Sequence, residues 1–354
     1  AIFIFYDVKG NFRFSFIRRN YGDKTNKFTN WKRYTYFINP EYTNNTFKDR
    51  IKKCSFDSLD HIQEAFSVEK LNKDFYQKIS KAFYSLIGGK VKINSKEVDF
   101  SSSLQLPSVT DRKIHQEFAV RLVGRTIFCW FLKNKKSESG LSLLPEGWLS
   151  SKVVEEVNND QHNYYHSILE KLFFEVLNQK IEERIPNLPS GHENIPYLNG
   201  GLFEPTKEDF YEYEKTSGVS KFLNTLKIPN SWFIDFFEVL EQYNFTIDEN
   251  SINDSEVSID PEMLGTIFEN LLAEIDPDTE KSARKSTGSF YTPREIVDYM
   301  VEQSLVQYLK TKTEIDDEEK LQTLFSDDEE NLFTDKEANV ILKAISEVKI
   351  LDPA

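Results

Sequence analysis

The sequence predicts a mainly α-helical protein with a β-hairpin region at its N-terminus. Near the start, two short runs of aromatic and β-branched residues flank a turn that contains Gly and Asn, a pattern typical of a hairpin. From about residue 58, apolar residues recur at the three- and four-residue spacing of amphipathic helices. The 354 residues are 39% hydrophobic and include 29 Phe and 16 Tyr, which is enough apolar material for a packed core and for more than one domain.

The β-rich region is predicted to occupy residues 1–57. Its strands are expected at residues 2–6 and 12–17, with a third at residues 31–38. Residues 1–53 contain twelve Lys and Arg against four acids, a local net charge of +8 in a chain whose net charge is −14. A basic region on an acidic body permits contact with DNA phosphates. The candidate DNA-contact residues are Arg18, Arg19, Lys32 and Arg33.

A helical region is predicted over residues 58–254. Gly88 and Gly89 follow the first helix, as glycines commonly do after a helix C-terminus. A turn region rich in Pro and Gly is expected at residues 186–205, and a polar loop at residues 247–258. Helices are predicted at about residues 66–86, 111–135, 163–177, 219–226 and 231–241.

A third region is predicted over residues 255–354. It contains helices at about residues 262–272, 293–310 and 336–346, and a short apolar strand at residues 348–351. Residues 314–337 contain eleven acids and two lysines, a composition that predicts a solvated surface segment.

Two short motifs in this third region carry chemical information. The spacing of Thr292, Pro293 and Glu295 is that of a capping box. A helix N-terminus of this kind either has only the structural role of starting the helix or also binds the carboxylate of a ligand. The predicted strand is followed by Asp352 and Pro353, as in the first strand of a nucleotide-binding α/β sheet. Each motif alone is weak evidence for a ligand site.

Together, the stretches TGSFYTPREIV (residues 287–297) and ILDPA (residues 350–354) resemble the γ-type amino-methyltransferases that methylate adenine N6 in DNA. The resemblance implies the start of a Rossmann-like class I methyltransferase domain that uses S-adenosylmethionine. It implies that Phe290, Tyr291, Thr292 and Pro293 line the methionine end of this cofactor. It also implies that Asp352, followed by Pro353 and Ala354, lies near the same cofactor. The family's motif continues with Cys-Gly-Ser-Gly, so the predicted domain is incomplete.

The resemblance extends upstream to type IIG restriction-modification enzymes. Residues 65–76, 121–132, 196–203 and 264–269 look like elements of those proteins, in which one polypeptide joins a nuclease, a helical connector, a methyltransferase and a target-recognition domain. This implies a parent protein that methylates specific sites in double-stranded DNA and that has an endonuclease dependent on Mg²⁺. Residues 58–254 would then be the connector.

The catalytic elements of both reactions are absent from the sequence. Amino-methyltransferases need an Asn-Pro-Pro-Tyr or Asp-Pro-Pro-Tyr loop for the flipped adenine, and no Pro-Pro dipeptide occurs. In the segment PDTEK (residues 277–281), both halves of a nuclease metal motif fall within five residues, which excludes a nuclease core. We therefore expect no catalytic residue and no metal ligand here, and a fragment that is inactive by itself.

Other features of the sequence leave alternatives open. A second interpretation is that the chain is a helical scaffold or interaction module with no cofactor site. His162 and His166 are spaced to share a metal, but no third ligand is evident and packed or solvated histidines are the favoured interpretation. Arg121 and Arg125 form either a structural ion pair or a DNA or domain contact. The Asn199-Gly200-Gly201 segment is a tight turn or a ligand loop.

The location of the protein is predicted from its cysteines and its hydropathy. Cys54 and Cys129 are far apart and lack CxxC spacing, so free thiols in a reducing cytoplasm are expected. No run of about 20 apolar residues occurs, which predicts no membrane span.

Overall fold

The structure, a computed structural model, divides into two compact units, unit 1 from Ala1 to Ser289 and unit 2 from Phe290 to Ala354. The two units are described separately. The structure describes residues 1–19, 21–22, 27–28, 31–93, 96–134, 142–159, 163–185, 188–198, 201–214, 219–246, 254–273, 294–325 and 332–351.

Unit 1 begins with a four-stranded sheet in the order β1-β2-β5-β10. The strands are β1 (Ile2–Tyr6), β2 (Phe12–Arg18), β5 (Lys32–Ile38) and β10 (Asp254–Glu256). The first three strands are antiparallel neighbours, and β10 pairs in parallel with β5. Both strands of the predicted hairpin and the predicted third strand are therefore confirmed. The short strands β3 (Tyr21–Gly22) and β4 (Lys27–Phe28) form a separate two-stranded pair.

Three helices follow the sheet: α1 (Asn45–Lys53), α2 (Leu59–Ala65) and α3 (Val68–Ile87). Aromatic rings join one face of the sheet to this helical layer, because Phe14 lies 5.6 Å from Phe47 and 5.6 Å from Phe66, measured between ring centroids. Tyr36, on the same face, donates a hydrogen bond to the Ala65 carbonyl oxygen at 2.5 Å. We call this side of the sheet the helix-covered face.

The centre of unit 1 is helical and buried. The longest helix, α4 (Arg112–Asn134), is predicted within one or two residues of its ends, and most of its central residues are buried. The hairpin of β6 (Gly89–Ile93) and β7 (Lys96–Phe100) connects α3 to the segment before α4. The remaining helices are α5 (Ser151–Asn159), α6 (Asn230–Leu240) and α7 (Pro261–Ala273).

The predicted helix at residues 163–177 is confirmed as a helical stretch, although its backbone is largely π-helical. The two π segments are Tyr165–Leu169 and Leu172–Leu177. Three-residue 3₁₀ turns occupy Glu146–Trp148, Ile181–Glu183, His192–Asn194, Gly201–Phe203 and Lys207–Asp209. π-helical turns often occur where side chains must be placed precisely inside a protein.

Two predictions for the middle of the chain are wrong. The helix predicted at residues 219–226 is instead strand β9 (Val219–Ser220), which pairs with β8 (Tyr213–Glu214), followed by turns. The last part of the loop predicted at residues 247–258 contains β10, whose polar residues pair with β5, while residues 247–253 lie outside the described residues. Both errors have one cause: the strands are two or three residues long, too short to produce a detectable alternation.

One continuous core runs through unit 1. It includes Phe16 in the sheet, Phe75 in α3, Val123 in α4, Phe233 in α6 and Leu271 in α7. This core crosses residues 57/58 and 254/255, where the sequence places its domain boundaries. Those boundaries stay predictions.

Unit 2 contains three helices among its described residues: α8 (Arg294–Thr313), α9 (Glu318–Gln322) and α10 (Asp335–Ser346). Its core is small and consists of Val306, Leu309, Leu321, Ile341 and Ala344. The acidic segment is therefore not entirely a solvated surface segment, since Leu321 of α9 is buried in this core. The predicted helices at 293–310 and 336–346 are confirmed.

The strand predicted at residues 348–351 does not form. Residues 348–351 have no regular structure, and Ile350 and Leu351 are 91% and 85% exposed. A strand needs a neighbour to bond with, and the described residues of unit 2 pair none with this segment. The Rossmann-like domain stays a prediction.

In the part of the chain that the structure describes, no helix has the length and apolar content needed to cross a membrane.

Candidate functional site

The residues predicted to bind S-adenosylmethionine lie outside the described residues. These are Phe290, Tyr291, Thr292, Pro293, Asp352, Pro353 and Ala354. The described part of α8 begins at Arg294, immediately after the predicted capping residues. The geometry that can be described therefore concerns the basic N-terminal region and the buried polar groups of unit 1.

The four DNA-contact candidates do not form one patch, because strand pairing divides them between the two faces of the sheet. Arg18 of β2 is the register partner of Lys32 of β5. This pair lies two residues along the strands from the pair of Phe16 and Tyr34. Side chains alternate between the faces of a strand, so Arg18 and Lys32 belong to the helix-covered face. Their neighbour Arg33 pairs with Ile17 and belongs to the opposite face.

On the helix-covered face, Arg18 is held by the helical layer. Its Nη1 atom donates to Oδ1 of Asp60, in α2, at 3.2 Å. The Lys32 ammonium lies 5.5 Å from the centre of the Tyr34 ring. Burial raises the pKa of Tyr34, and the charge of Arg18 opposes this rise, so the phenol stays neutral. Both cations thus make local contacts at the end of the sheet.

The opposite side, which we call the open face, carries two contacts between an arginine and an aromatic ring. The guanidinium of Arg19 lies 4.8 Å from the centre of the Trp31 ring, and that of Arg13 lies 5.1 Å from the centre of the Phe37 ring. Glu256 of β10 also pairs with Arg13, at 3.7 Å. At the middle of this face, Ser15 and Thr35 share a hydrogen bond of 2.8 Å between their hydroxyl oxygens and are buried.

The rings of the open face remain in contact with solvent. Trp31 is 57% exposed, and Phe3 and Phe5 of β1, which are the register partners of Ser15 and Arg13, are 43% and 49% exposed. The sequence analysis did not select Arg13, Trp31 or Phe37 for this site. Two-residue alternation along β2 and β5, which puts Arg13 and Phe37 on the same face as Arg33, was the signal that could have identified those two residues.

A polar cleft of about 860 Å³ opens between α1, α2 and α3. Its cations include Lys48 and Arg50, and Arg50 donates to the Ser67 carbonyl oxygen at 2.6 Å. The other lysines pair with nearby carboxylates: Lys53 with Asp49 at 3.6 Å, Lys70 with Glu64 at 2.7 Å and Lys78 with Asp74 at 3.5 Å. Nearby carboxylates therefore neutralise most of the positive charge in the cleft.

Arg121 and Arg125 both belong to a buried ion-pair network. Asp209 is 1% exposed and accepts hydrogen bonds from Nε of Arg121 at 2.9 Å and from Nη1 and Nη2 of Arg125 at 2.9 and 3.1 Å. Burial alone raises the pKa of Asp209, but hydrogen bonding and the charge of Arg125 outweigh it and leave the pKa lowered. The structural ion pair, rather than a DNA contact, is the interpretation that this geometry supports.

His166 is also occupied internally. Its Nδ1 lies 2.7 Å from Oε2 of Glu170, and its Nε2 lies 3.0 Å from the Leu226 carbonyl oxygen. Ser220 donates to the other oxygen of Glu170 at 3.2 Å. Both ring nitrogens are therefore used, which leaves none for a metal; its proposed partner His162 lies outside the described residues. Within the described ranges, no group of three or more His, Cys, Asp or Glu residues is placed to hold a metal ion.

Two smaller expectations concern the Asn199–Gly201 turn and the two cysteines. Asn199 and Gly200 lie outside the described residues, so the role of their turn stays a prediction. Immediately after it, Nε of Arg125 donates to the Leu202 carbonyl oxygen at 2.6 Å, which fixes the following 3₁₀ turn to α4. Cys54 and Cys129 are free thiols, as expected, and burial raises the pKa of Cys129.

Comparison with known proteins supports the resemblance found in the sequence. Over 315 residues, the chain is 30% identical to a protein of Methanocaldococcus jannaschii described as a "putative type II restriction enzyme and methyltransferase". The match covers 81% of this chain and 24% of that protein, so the chain spans about a quarter of the relative's length. The resemblance to restriction-modification enzymes is confirmed.

Two further comparisons bear on the middle of the chain and on its fold. Residues 150–259, from the start of α5 to just beyond β10, match a family described as a domain of unknown function (DUF7814). This range contains Asp209 and the His166–Glu170 pair. No solved structure matches the chain.

Proposed function

We propose that the chain is part of a type IIG restriction-modification enzyme that transfers a methyl group from S-adenosylmethionine to adenine N6 in double-stranded DNA. The observation that carries this proposal is the similarity to the archaeal restriction enzyme and methyltransferase, which covers most of the chain. The motifs at residues 287–297 and 350–354 resemble the γ-type amino-methyltransferases. This resemblance is the basis for proposing S-adenosylmethionine as the cofactor and adenine as the target.

The roles of individual residues follow from that resemblance. Phe290, Tyr291, Thr292 and Pro293 are proposed to surround the methionine end of the cofactor, and Asp352 to face it from the next motif. Residues 58–254 are proposed to act as the helical connector. An endonuclease that requires Mg²⁺ would lie elsewhere in the protein, and a cytoplasmic location fits the two free thiols.

Binding of S-adenosylmethionine tests the cofactor assignment. Calorimetry on the protein expressed from the complete gene should show that Thr292→Ala and Asp352→Ala each weaken cofactor affinity about tenfold or more, since each removes a polar group at the proposed site. Thr334→Ala is the matched control, because Thr334 forms at α10 the kind of capping box that the sequence predicts for Thr292, and it has no proposed cofactor role. Unchanged affinity in both site variants would contradict the assignment.

Methyl transfer tests the reaction itself. With labelled S-adenosylmethionine and duplex DNA, digestion to nucleosides should recover the label on adenine; label on cytosine would contradict adenine specificity. The same assay on residues 1–354 alone should give no transfer, because this sequence lacks the Pro-Pro loop that holds a flipped adenine.

A helical scaffold without a cofactor site is the second candidate. The observation that favours it is that the charged groups of the helical region, such as Asp209 and Glu170, bond to partners within unit 1. A protein from the complete gene that neither binds S-adenosylmethionine nor methylates DNA would support the scaffold.

A further inference from the structure

We propose that strand β1 is an interface at which two copies of this chain pair edge to edge. The two N-terminal sheets then join into one continuous sheet of eight strands, four from each copy. The partner of β1 is β1 of a second copy, in antiparallel orientation and centred on Ile4. This inference goes beyond the proposed function and does not depend on it.

The first observation is the direction of the backbone groups of β1. Ala1 and Ile17 exchange two hydrogen bonds, because the Ala1 nitrogen donates to the Ile17 carbonyl oxygen at 2.7 Å and the Ile17 N–H donates to the Ala1 carbonyl oxygen at 2.8 Å. In an antiparallel pair such positions recur at every second residue, so the residues between them direct N–H and C=O away from β2. These outward residues are Ile2, Ile4 and Tyr6. Among the described residues, no strand lies on that side of β1.

The second observation is that the two edges of the sheet differ in their protection against pairing. Sheet edges in soluble proteins are usually short, charged or covered. The opposite edge, β10, follows this rule, since its three residues include Asp254 and Glu256. Strand β1 has five residues, Ile-Phe-Ile-Phe-Tyr, with no charge and no proline. An uncharged edge of this length is suited to pairing with another strand.

The third observation is that β1 is exposed on both sides of the sheet. On the open face, Phe3 and Phe5 stack on each other, with 6.0 Å between ring centroids. On the helix-covered face, the helical layer packs on Phe14 of β2 but stops short of β1, where Ile4 and Tyr6 are 60% and 85% exposed. A strand added at this edge therefore buries apolar side chains on both faces, in addition to forming backbone hydrogen bonds.

The sequence of β1 favours a second copy as this strand. When two identical strands pair in antiparallel orientation around Ile4, residue 4 lies opposite residue 4 and residue 2 lies opposite residue 6. Each outward N–H then meets an outward C=O, and Phe3 lies opposite Phe5 of the partner subunit, which forms aromatic pairs across the two-fold axis. No side chain of β1 is charged, so no like charges meet within the strand pair. Such a contact uses the same surface on both copies and closes as a dimer.

Sedimentation velocity of the 354-residue chain over a range of concentrations measures the pairing. We expect a reversible monomer–dimer equilibrium in the micromolar range, since one strand from each copy makes a contact smaller than a standard interface. Ile4→Pro removes the outward N–H of each copy but no hydrogen bond to β2, and proline is tolerated at such an edge position. Loss of both outward bonds should weaken dimerisation about tenfold or more. Ile4→Val, which keeps the N–H and a branched apolar side chain, is the matched control and should dimerise like the wild-type chain.

Two charge variants test the antiparallel register. In Ile4→Lys, like charges face each other at the centre of the contact, and the same holds for Ile4→Glu, so each variant should weaken its own dimer about tenfold or more. An equimolar mixture of the two variants should form a heterodimer, because opposite charges then meet across the two-fold axis. Val8→Lys is the matched control, since it adds the same charge to the exposed turn after β1 and should leave dimerisation unchanged.

Four results overturn the proposal. A wild-type chain that stays monomeric up to its solubility limit has no such interface, and growth into large aggregates instead of a dimer shows that the contact does not close. A dimer that neither Ile4→Pro nor the charge variants weaken uses another surface. Two monomeric charge variants that form no heterodimer when mixed contradict antiparallel pairing around Ile4.

The protein expressed from the complete gene distinguishes a second copy from another segment of the same polypeptide. If the partner is a second copy, this protein also dimerises, and Ile4→Pro weakens its dimer. A complete protein that is monomeric, while the 354-residue chain dimerises, would show that another segment of the polypeptide pairs with β1 and would reject the second copy. No cofactor or DNA is present in these experiments, so their failure is distinct from failure of S-adenosylmethionine binding or methyl transfer.

Discussion

At the residue scale, Asp209 shows how much of unit 1 depends on a single charge. Among the described residues, it is the acid that accepts hydrogen bonds from both Arg121 and Arg125. It also accepts a hydrogen bond from the backbone N–H of Thr206 at 2.8 Å. Buried ion pairs contribute little net stability compared with apolar packing. Removal of one partner, however, leaves the other charge desolvated and without compensation.

We therefore expect Asp209→Asn to destabilise the protein by about 3–5 kcal/mol, because the Arg125 guanidinium would stay buried without a counter-charge. Urea unfolding followed by tryptophan fluorescence measures the change. Asp60→Asn is the matched control, since its ion pair with Arg18 is solvent-exposed and contributes little. Equal midpoints for Asp209→Asn and wild type would show that the network is not a source of stability.

At the element scale, the helical stretch 164–177 contains buried carboxyl groups on successive turns. Burial and, to a smaller extent, the charge of Glu170 raise the pKa of Glu175 to about 7, against the opposing effect of a hydrogen bond from the Ile185 backbone. Both residues lie in or between the π segments, and Glu175 belongs to the segment Leu172–Leu177. The folded protein therefore favours the protonated form of Glu175, whereas the unfolded chain ionises this group near pH 4.5.

The sign of the pH dependence follows. A group whose pKa is raised by folding contributes stability that is fully present below its unfolded pKa and is lost as pH rises through its folded pKa. Relative to Glu175→Gln, which stays neutral, the wild-type protein should lose stability between about pH 4.5 and pH 7. Urea midpoints of both proteins across this range measure the difference. A constant difference would mean that Glu175 does not titrate there.

The elements that could be predicted from sequence are those with a local cause. Helix α3 follows from apolar periodicity over 20 residues, α4 from a 23-residue segment rich in apolar residues and free of Pro, and the β1–β2 hairpin from its turn. The strand β10 could not be predicted, since its three polar residues form a strand only through pairing with β5, more than 200 residues earlier. The short helices α1 and α5 also lack a long apolar pattern.

The same distinction applies to the candidate site. Sequence identified a basic region, and alternation within one strand already separates Arg18 from Arg19. It could not identify which face is covered, because that depends on Phe47 and Phe66, from the helical segments after the sheet, packing against Phe14. The residues proposed to bind the cofactor were predicted from their resemblance alone, and their placement stays a prediction.

At the scale of the whole molecule, the two units differ greatly in the size of their cores. The core of unit 1 extends from Phe16 to Leu271, whereas the described residues of unit 2 form a core of five buried apolar residues. Unit 2 also exposes several large apolar side chains, including Ile296, Met300 and Leu342. A unit whose described residues bury so little apolar surface is expected to have a small free energy of unfolding.

We therefore expect unit 2 to unfold at lower urea concentration than unit 1. All four tryptophans, Trp31, Trp130, Trp148 and Trp232, are in unit 1, so tryptophan fluorescence reports that unit alone, while far-ultraviolet circular dichroism reports the helices of both. The dichroism signal should begin to fall before the fluorescence changes.

Substitutions in the two cores should separate the two transitions. Leu309→Ala, in the core of unit 2, should lower the free energy of unfolding of that unit by about 2–5 kcal/mol. The first step of the dichroism curve should then occur at a lower urea concentration, while the fluorescence midpoint stays unchanged. Leu240→Ala, in the core of unit 1, should move the fluorescence midpoint instead. Coincident transitions for both probes, shifted equally by either substitution, would show that the chain unfolds as one cooperative body despite its two separate cores.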